Sequence, residues 1–171
     1  LVCSFFQSAL AFSGHEVLAV GPGFTCAILD DSTLKCWGKN GYGQLGLGSA
    51  EDYFGDEDDE TPDKIPAINL GTGRTAKQVC CGYEHMCAIL DDNTLKCWGY
   101  HWGGQLGLGD TGEDYQIGDD DDETPDKLPA VNLGTGRTAK YVATGYYHTC
   151  AILDDNTLKC WGGHDSGQLG L

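Results

Sequence analysis

One alternation of apolar and polar residues runs through the chain three times. The segment TCAILDDSTLKCWG (25–38) returns as MCAILDDNTLKCWG (86–99) and TCAILDDNTLKCWG (149–162). In each copy a short apolar run, an Asp-Asp-Ser/Asn triplet and a second short run ending in Cys-Trp predict two strands around a three-residue loop. Centring the hairpin on Asp31 pairs Leu29 with Thr33, Ile28 with Leu34, Ala27 with Lys35 and Cys26 with Cys36. The third loop residue, Ser32, Asn93 or Asn156, then takes the left-handed position such loops require. Side chains alternate across a strand, so Cys26, Ile28, Leu34 and Cys36 share one face. Residues 76–79 and 139–142 are further strand candidates, closed by Gly82 and Gly145.

The spacing of these hairpins sets the architecture. Trp37, Trp98 and Trp161 mark periods of 61 and 63 residues, and each Trp-Gly leads into a glycine-rich stretch: GYGQLGLG (41–48), GGQLGLG (103–109) and GQLGL (167–171). Several short strands per unit, with no helical periodicity, predict an all-β fold of radially repeated sheets. The expected organisation is an N-terminal segment, 1–16, followed by three repeats at 17–62, 63–125 and 126–171.

Composition sharpens the picture through the placement of charge. The 171 residues carry 10 Lys+Arg and 26 Asp+Glu, a formal net charge of -16. Eight acids lie in residues 51–63 and nine in residues 110–126, so outside these two expected loops the chain is close to neutral. Such a balance argues against nucleic acid and anionic membrane surfaces as partners, because both recruit Lys and Arg. The 26 glycines against 5 prolines fit tight turns.

The motifs Gly-Tyr-x-His-x-Cys-Ala-Ile-Leu, Leu-Lys-Cys-Trp-Gly and Gly-Gln-Leu-Gly-Leu-Gly resemble the regulator of chromosome condensation repeat, in the cysteine-containing form found in algae and other protists. The resemblance covers roughly residues 17–171. It implies β-propeller blades, usually seven of four strands each. About three repeats make an incomplete ring, since closed propellers need at least four blades. The expectation is a piece of a longer propeller, or an arc completed by another molecule.

Nine cysteines are many for a reducing compartment. Cys26/Cys36, Cys87/Cys97 and Cys150/Cys160 recur ten residues apart, as opposed partners within disulfide reach. Three cross-strand disulfides are expected, with buried thiols as the alternative; metal binding fits poorly, because zinc sites favour pairs two to four residues apart. The disulfides imply an extracellular, cell-surface or organelle-lumen location. Cys3, Cys80 and Cys81 remain, with Cys3 a candidate partner for one of the other two.

No catalytic constellation is visible, and no enzyme is expected. His85 and His148 recur with the repeat and read as structural residues bonded to backbone. The stretches Gly71-Thr72-Gly73-Arg74 and Gly134-Thr135-Gly136-Arg137 read as turns. The acidic runs hold the candidate partner or calcium residues: Asp56, Glu57, Asp58, Asp59 and Glu60 in one, Asp119, Asp120, Asp121, Asp122 and Glu123 in the other. Clustered carboxylates suit calcium, but neither run alternates ligands as a dedicated calcium loop does, and solvated loops are the alternative. Trp37, Trp98 and Trp161 are expected in the core and Trp102 at the surface. Residues 1–12 are too short and too interrupted to span a bilayer, and Ala9-Leu10-Ala11 resembles a signal-peptidase site.

The leading expectation is a non-enzymatic protein-interaction module or scaffold with a protein partner. A peripheral subunit of a large extracellular or lumenal complex, including one at a photosynthetic membrane, is the second reading. A calcium-dependent adhesion module and a guanine nucleotide exchange factor, the latter an activity of some family members, are the third and fourth.

Overall fold

A computed structural model describes residues 17–49, 51–58, 60–109 and 114–170. The repeated hairpins form in the expected register. In the first repeat β2 (Phe24–Ile28) pairs with β3 (Leu34–Lys39), placing Cys26 opposite Cys36 and Ile28 opposite Leu34. Strands β6 (His85–Leu90) with β7 (Leu95–Tyr100), and β10 (His148–Leu153) with β11 (Leu158–Gly162), repeat that register. Ser32, Asn93 and Asn156 hold φ values of 67°, 69° and 65°. The preceding Asp closes each loop, its Oδ1 accepting from the Thr33, Thr94 or Thr157 backbone N at about 3.0 Å.

A third antiparallel strand flanks each hairpin: β1 (Leu18–Gly21), β5 (Ala76–Cys81) and β9 (Ala139–Thr144). The first two sheets gain a fourth strand, β4 (Tyr53–Phe54) and β8 (Gln116–Ile117). These two strands lie inside the runs expected as continuous loops. Tyr53-Phe54 pairs with Gly38-Lys39, and Ile117 is buried, so both acidic segments begin by extending a sheet. A single 3-10 turn, residues 121–123, is the helical element among the described residues.

The three sheets stack side by side, sheet 2 between sheets 1 and 3, with β5 packed against β1 and β2 on one side and β9 on the other. The cysteine face of one hairpin meets the opposite face of the next sheet. Met86 Sδ lies 3.3 Å from Cys26 Sγ, and Cys87 Sγ lies 4.0 Å from Thr149 Oγ1. Linking segments seal the gaps: Ile68 N donates to Leu34 O, and Val131 N donates to Leu95 O, each at 2.8 Å. Lys35 and Lys96 anchor these links, donating to the carbonyls of Pro62 and Pro125.

The glycine blocks pack on the repeat tryptophans. A Cβ at Gly46 would stand 2.5 Å from Trp98 Nε1, and one at Gly107 would stand 2.8 Å from Trp161 Nε1. Both glycines also have positive φ, near 69°, so space and backbone conformation exclude a side chain together.

Position in the arc decides burial. Val79 and Cys81, facing sheet 1, are 0% and 5% exposed; their counterparts in sheet 1, Leu18 and Val20, are 59% and 62% exposed. On the other flank Leu34 and Leu95 are each 1% exposed, while Leu158 is 66% exposed. The tryptophan expectation is corrected on the same ground. Trp98 is fully buried, but Trp37 and Trp161 are only partly covered, because each lacks some of the neighbours around Trp98.

Candidate protein-interaction face

The paired cysteines occupy the same face of each hairpin, buried between sheets in the first two and partly exposed in the third. Each pair stands at disulfide distance with Cα atoms 4.1 Å apart, and the pairs of sheets 1 and 2 are fully buried. Cys80 and Cys81 are buried in β5, whereas Cys3 lies outside the described residues.

The acidic runs are used in part to close their own loops. Glu60 Oε2 accepts from Gly55 N at 2.8 Å, and Glu123 Oε2 accepts from Gly118 N at 3.1 Å. Burial, together with neighbouring Asp114, pushes Glu123 up to about 7, despite the Gly118 bond. Burial also raises Asp119. Asp56, Glu57 and Asp58 point to solvent, as do Asp120, Asp121 and Asp122, while Asp59 is outside the described residues. Among the described residues, no three His, Cys, Asp or Glu side chains converge as they would around a metal ion. Gly71 to Arg74 forms the expected turn, with Arg74 N donating to Gly71 O and the guanidinium pairing with Asp91 and Asp92.

His85 differs from its expectation. Its partner is a side chain of the next sheet: His85 Nε2 lies 3.1 Å from Thr149 Oγ1, which itself donates to Gln105 O at 2.8 Å. Since the Thr149 proton is committed to Gln105, the histidine must donate from Nε2. Burial, and then the nearby His148, drive the His85 pKa down to about 3, so the ring is neutral. At the same two positions of the first junction stand Phe24 and Met86, both buried. The two junctions thus solve one packing problem with an apolar pair and with a polar pair.

One grouping escaped the sequence reading. The β5–β6 and β9–β10 turns and the ends of β3 and β7 all emerge at the same end of the sheets, opposite the Asp-Asp hairpin loops. They bring five tyrosines together. Tyr83 stacks on Tyr146 with centroids 4.0 Å apart, Tyr147 meets Tyr146 edge-on at 4.5 Å, and Tyr100 links Tyr147 at 6.0 Å to Tyr42 at 4.8 Å. Beneath them Glu84, 6% exposed, is bound by Lys39 at 2.5 Å, and the Lys39 ammonium also sits 5.4 Å from the Tyr42 ring centre. The Glu84 bond raises the lysine's pKa. Trp102, 68% exposed as expected of a surface tryptophan, packs on Tyr115 beside this face. The signal available in the sequence was Tyr83, Tyr146 and Tyr147 in the turn before each repeat histidine. Their contact across a sheet junction required the stacking of the sheets.

The regulator of chromosome condensation (RCC1) repeat profile matches residues 34–89 and 93–152, and a second profile of the same repeat matches 18–44, 76–103 and 139–168. The chain belongs to the regulator of chromosome condensation repeat family. Among curated relatives of this repeat chain, the Ultraviolet-B receptor UVR8 of Arabidopsis thaliana is 34% identical over 164 residues, covering 94% of this chain and 33% of the receptor. The X-linked retinitis pigmentosa GTPase regulator of Mus musculus is 30% identical over 154 residues, 90% of this chain and 14% of the relative. The E3 ubiquitin-protein ligase HERC2 of Homo sapiens is 27% identical over 164 residues, 94% of this chain and 3% of the ligase. The chain therefore spans a third or less of the length of these relatives.

Solved structures agree on the fold. Prp20p of Saccharomyces cerevisiae, studied for binding Gsp1p and histones, superposes with a TM-score of 0.65 at 21% identity, over 90% of this chain and 33% of Prp20p. Human WBSCR16 gives 0.65 at 24% identity, over 90% of this chain and 35% of that protein. The three sheets are RCC1-type propeller blades arranged as an incomplete ring.

Proposed function

We propose that this chain is a non-enzymatic protein-interaction module built from RCC1-type blades. The observation that carries the reading is the end-face on which three repeats assemble five tyrosines, since aromatic residues concentrated on a rigid surface are what protein interfaces use as anchors. Binding of Gsp1p and histones by Prp20p supports the reading at the level of the fold. The proposed setting is an oxidising compartment, extracellular or lumenal, because a disulfide-distance pair occupies the same place in every hairpin.

A specific observation favours the second reading, a subunit within a larger assembly. Leu18 and Val20 on one flank, and Ile152 and Leu158 on the other, expose apolar surface that the internal junctions cover. Further blades or a neighbouring subunit would bury it.

Native mass measurement of the endogenous protein, with cross-linking of what co-purifies, tests both readings. A stable association with distinct protein subunits is expected. Recovery as a solitary chain with turnover of a small-molecule substrate would overturn the module reading. Six reactive thiols from the paired positions in the denatured, unreduced protein would overturn the oxidising setting.

A further inference from the structure

We infer that the tyrosine face receives an arginine- and lysine-rich segment of a protein partner. The inference rests on the interaction-module reading and adds the surface and the partner chemistry.

The rings supply the first reason. Tyr146 is 55% exposed and Tyr147 37%, and their contacts with each other and with Tyr83 fix the orientation of the exposed π surface. Aromatic faces attract guanidinium and ammonium groups, and the face already holds such contacts internally, Lys39 against Tyr42 and Tyr83.

The second reason is how the ten Lys and Arg residues are distributed. Arg74 and Arg137 are tied to the Asp pairs of the hairpin loops at the far end. Lys77 and Lys140 donate to Asn93 and Asn156 in those same loops. Lys35, Lys96 and Lys159 are held by backbone carbonyls of the linking segments, where Lys64 and Lys127 also lie. Only Lys39 stands at the tyrosine face, and Glu84 neutralises it.

The rim is acidic. Asp52 Oδ1 lies 3.2 Å from the Cβ position of Gly41, next to Tyr42. Asp114 Oδ1 accepts from Gln116 N, and the Gln116 side chain reaches Gly41 O. A cationic segment therefore meets aromatic rings flanked by carboxylates on the Tyr42 side and encounters no unneutralised cation. A second copy of this chain is disfavoured as occupant, because each copy carries a net charge of -16.

Fluorescence anisotropy of a labelled (Arg-Gly-Lys-Gly)3 peptide against the whole chain, at low and near-physiological salt, tests the inference, with (Glu-Gly-Asp-Gly)3 as the charge-reversed probe. The basic peptide is expected to bind, more weakly as salt rises. Y83A/Y146A should weaken it roughly five- to tenfold and Y146F less than twofold. Neutralising the exposed loop acids (D56N, D58N, D120N, D122N) should leave most of the Tyr-dependent difference intact. Y146A alone, at the most exposed of the five rings, replaces the double variant if circular dichroism shows the latter unfolded.

Equal binding by wild type and the tyrosine variants overturns the inference, as does preference for the acidic peptide. Loss of binding only on loop neutralisation also overturns it, as does a concentration-dependent dimer in sedimentation that Y146A dissolves. If the endogenous assembly keeps its subunits when Y83A/Y146A is introduced, this surface is wrong while the module reading stands.

Discussion

Leu95 and Leu158 occupy the same repeat position in identical local sequence, TLKCWG, yet one is 1% and the other 66% exposed. Replacing each by alanine isolates what the neighbouring blade contributes. The substitution removes three carbons beyond Cβ, about 2.4 kcal/mol of transfer free energy if all are buried. An incompletely collapsing cavity between sheets 2 and 3 raises this to about 3 kcal/mol. At Leu158 the side chain already faces water for most of its surface, so L158A is expected to cost less than about 1 kcal/mol. L34A, at 1% exposure, should match L95A.

Urea unfolding followed by tryptophan fluorescence reads these differences, with circular dichroism checking that both signals report one transition, as repeat arrays can unfold in stages. Similar losses for L95A and L158A would refute the reasoning, for they would mean that Leu158 is covered and that the cysteine face of the last blade is not open. Within a larger assembly the two values should converge, because a partner binding the native face adds stability through it.

The paired cysteines yield a second expectation. Removing the Cys87–Cys97 link as C87A/C97A opens a loop of sequence separation 10, worth about 2.8 kcal/mol of chain entropy, and reductant, which opens all three pairs, should produce a larger loss in the unsubstituted protein. No shift in urea midpoint with reductant would contradict it. Glu123 predicts a pH effect. Its folded pKa, near 7 against 4.5, means that its contribution to stability is full below pH 4.5 and is lost as pH rises through 7; E123Q should therefore flatten the fall in melting temperature between pH 5 and 8. An unchanged slope in E123Q would show that other groups carry it. At the second junction, H85F and T149M should each destabilise by about 1–3 kcal/mol by orphaning a buried polar partner, whereas the double variant reproduces the Phe24/Met86 arrangement and should recover at least about 1 kcal/mol. Additive losses in this cycle would deny the pairing.

What the sequence determined by itself is what depends on neighbours close along the chain. Alternation and the Asp-Asp-Asn turn set the hairpin register, the left-handed loop residue and the opposition of Cys26 to Cys36, because a short hairpin has only one register that buries a single apolar face. The repeat period likewise announced blades. The two short outer strands were hidden, since acidic composition masked Tyr53-Phe54 and Gln116-Ile117, each a two-residue pairing with a strand some 15 residues earlier.

Only the tertiary arrangement decided which copies of a repeated residue are core. Trp37, Trp98 and Trp161 are alike in sequence, but burial belongs to the blade interface, and among the described residues each flank sheet has a neighbouring sheet on one side only. His85 finds its acceptor 64 residues away. The tyrosine face arises in the same way. Turns that are distant in sequence converge because equivalent ends of stacked sheets lie side by side, and no local pattern encodes the contact between Tyr83 and Tyr146.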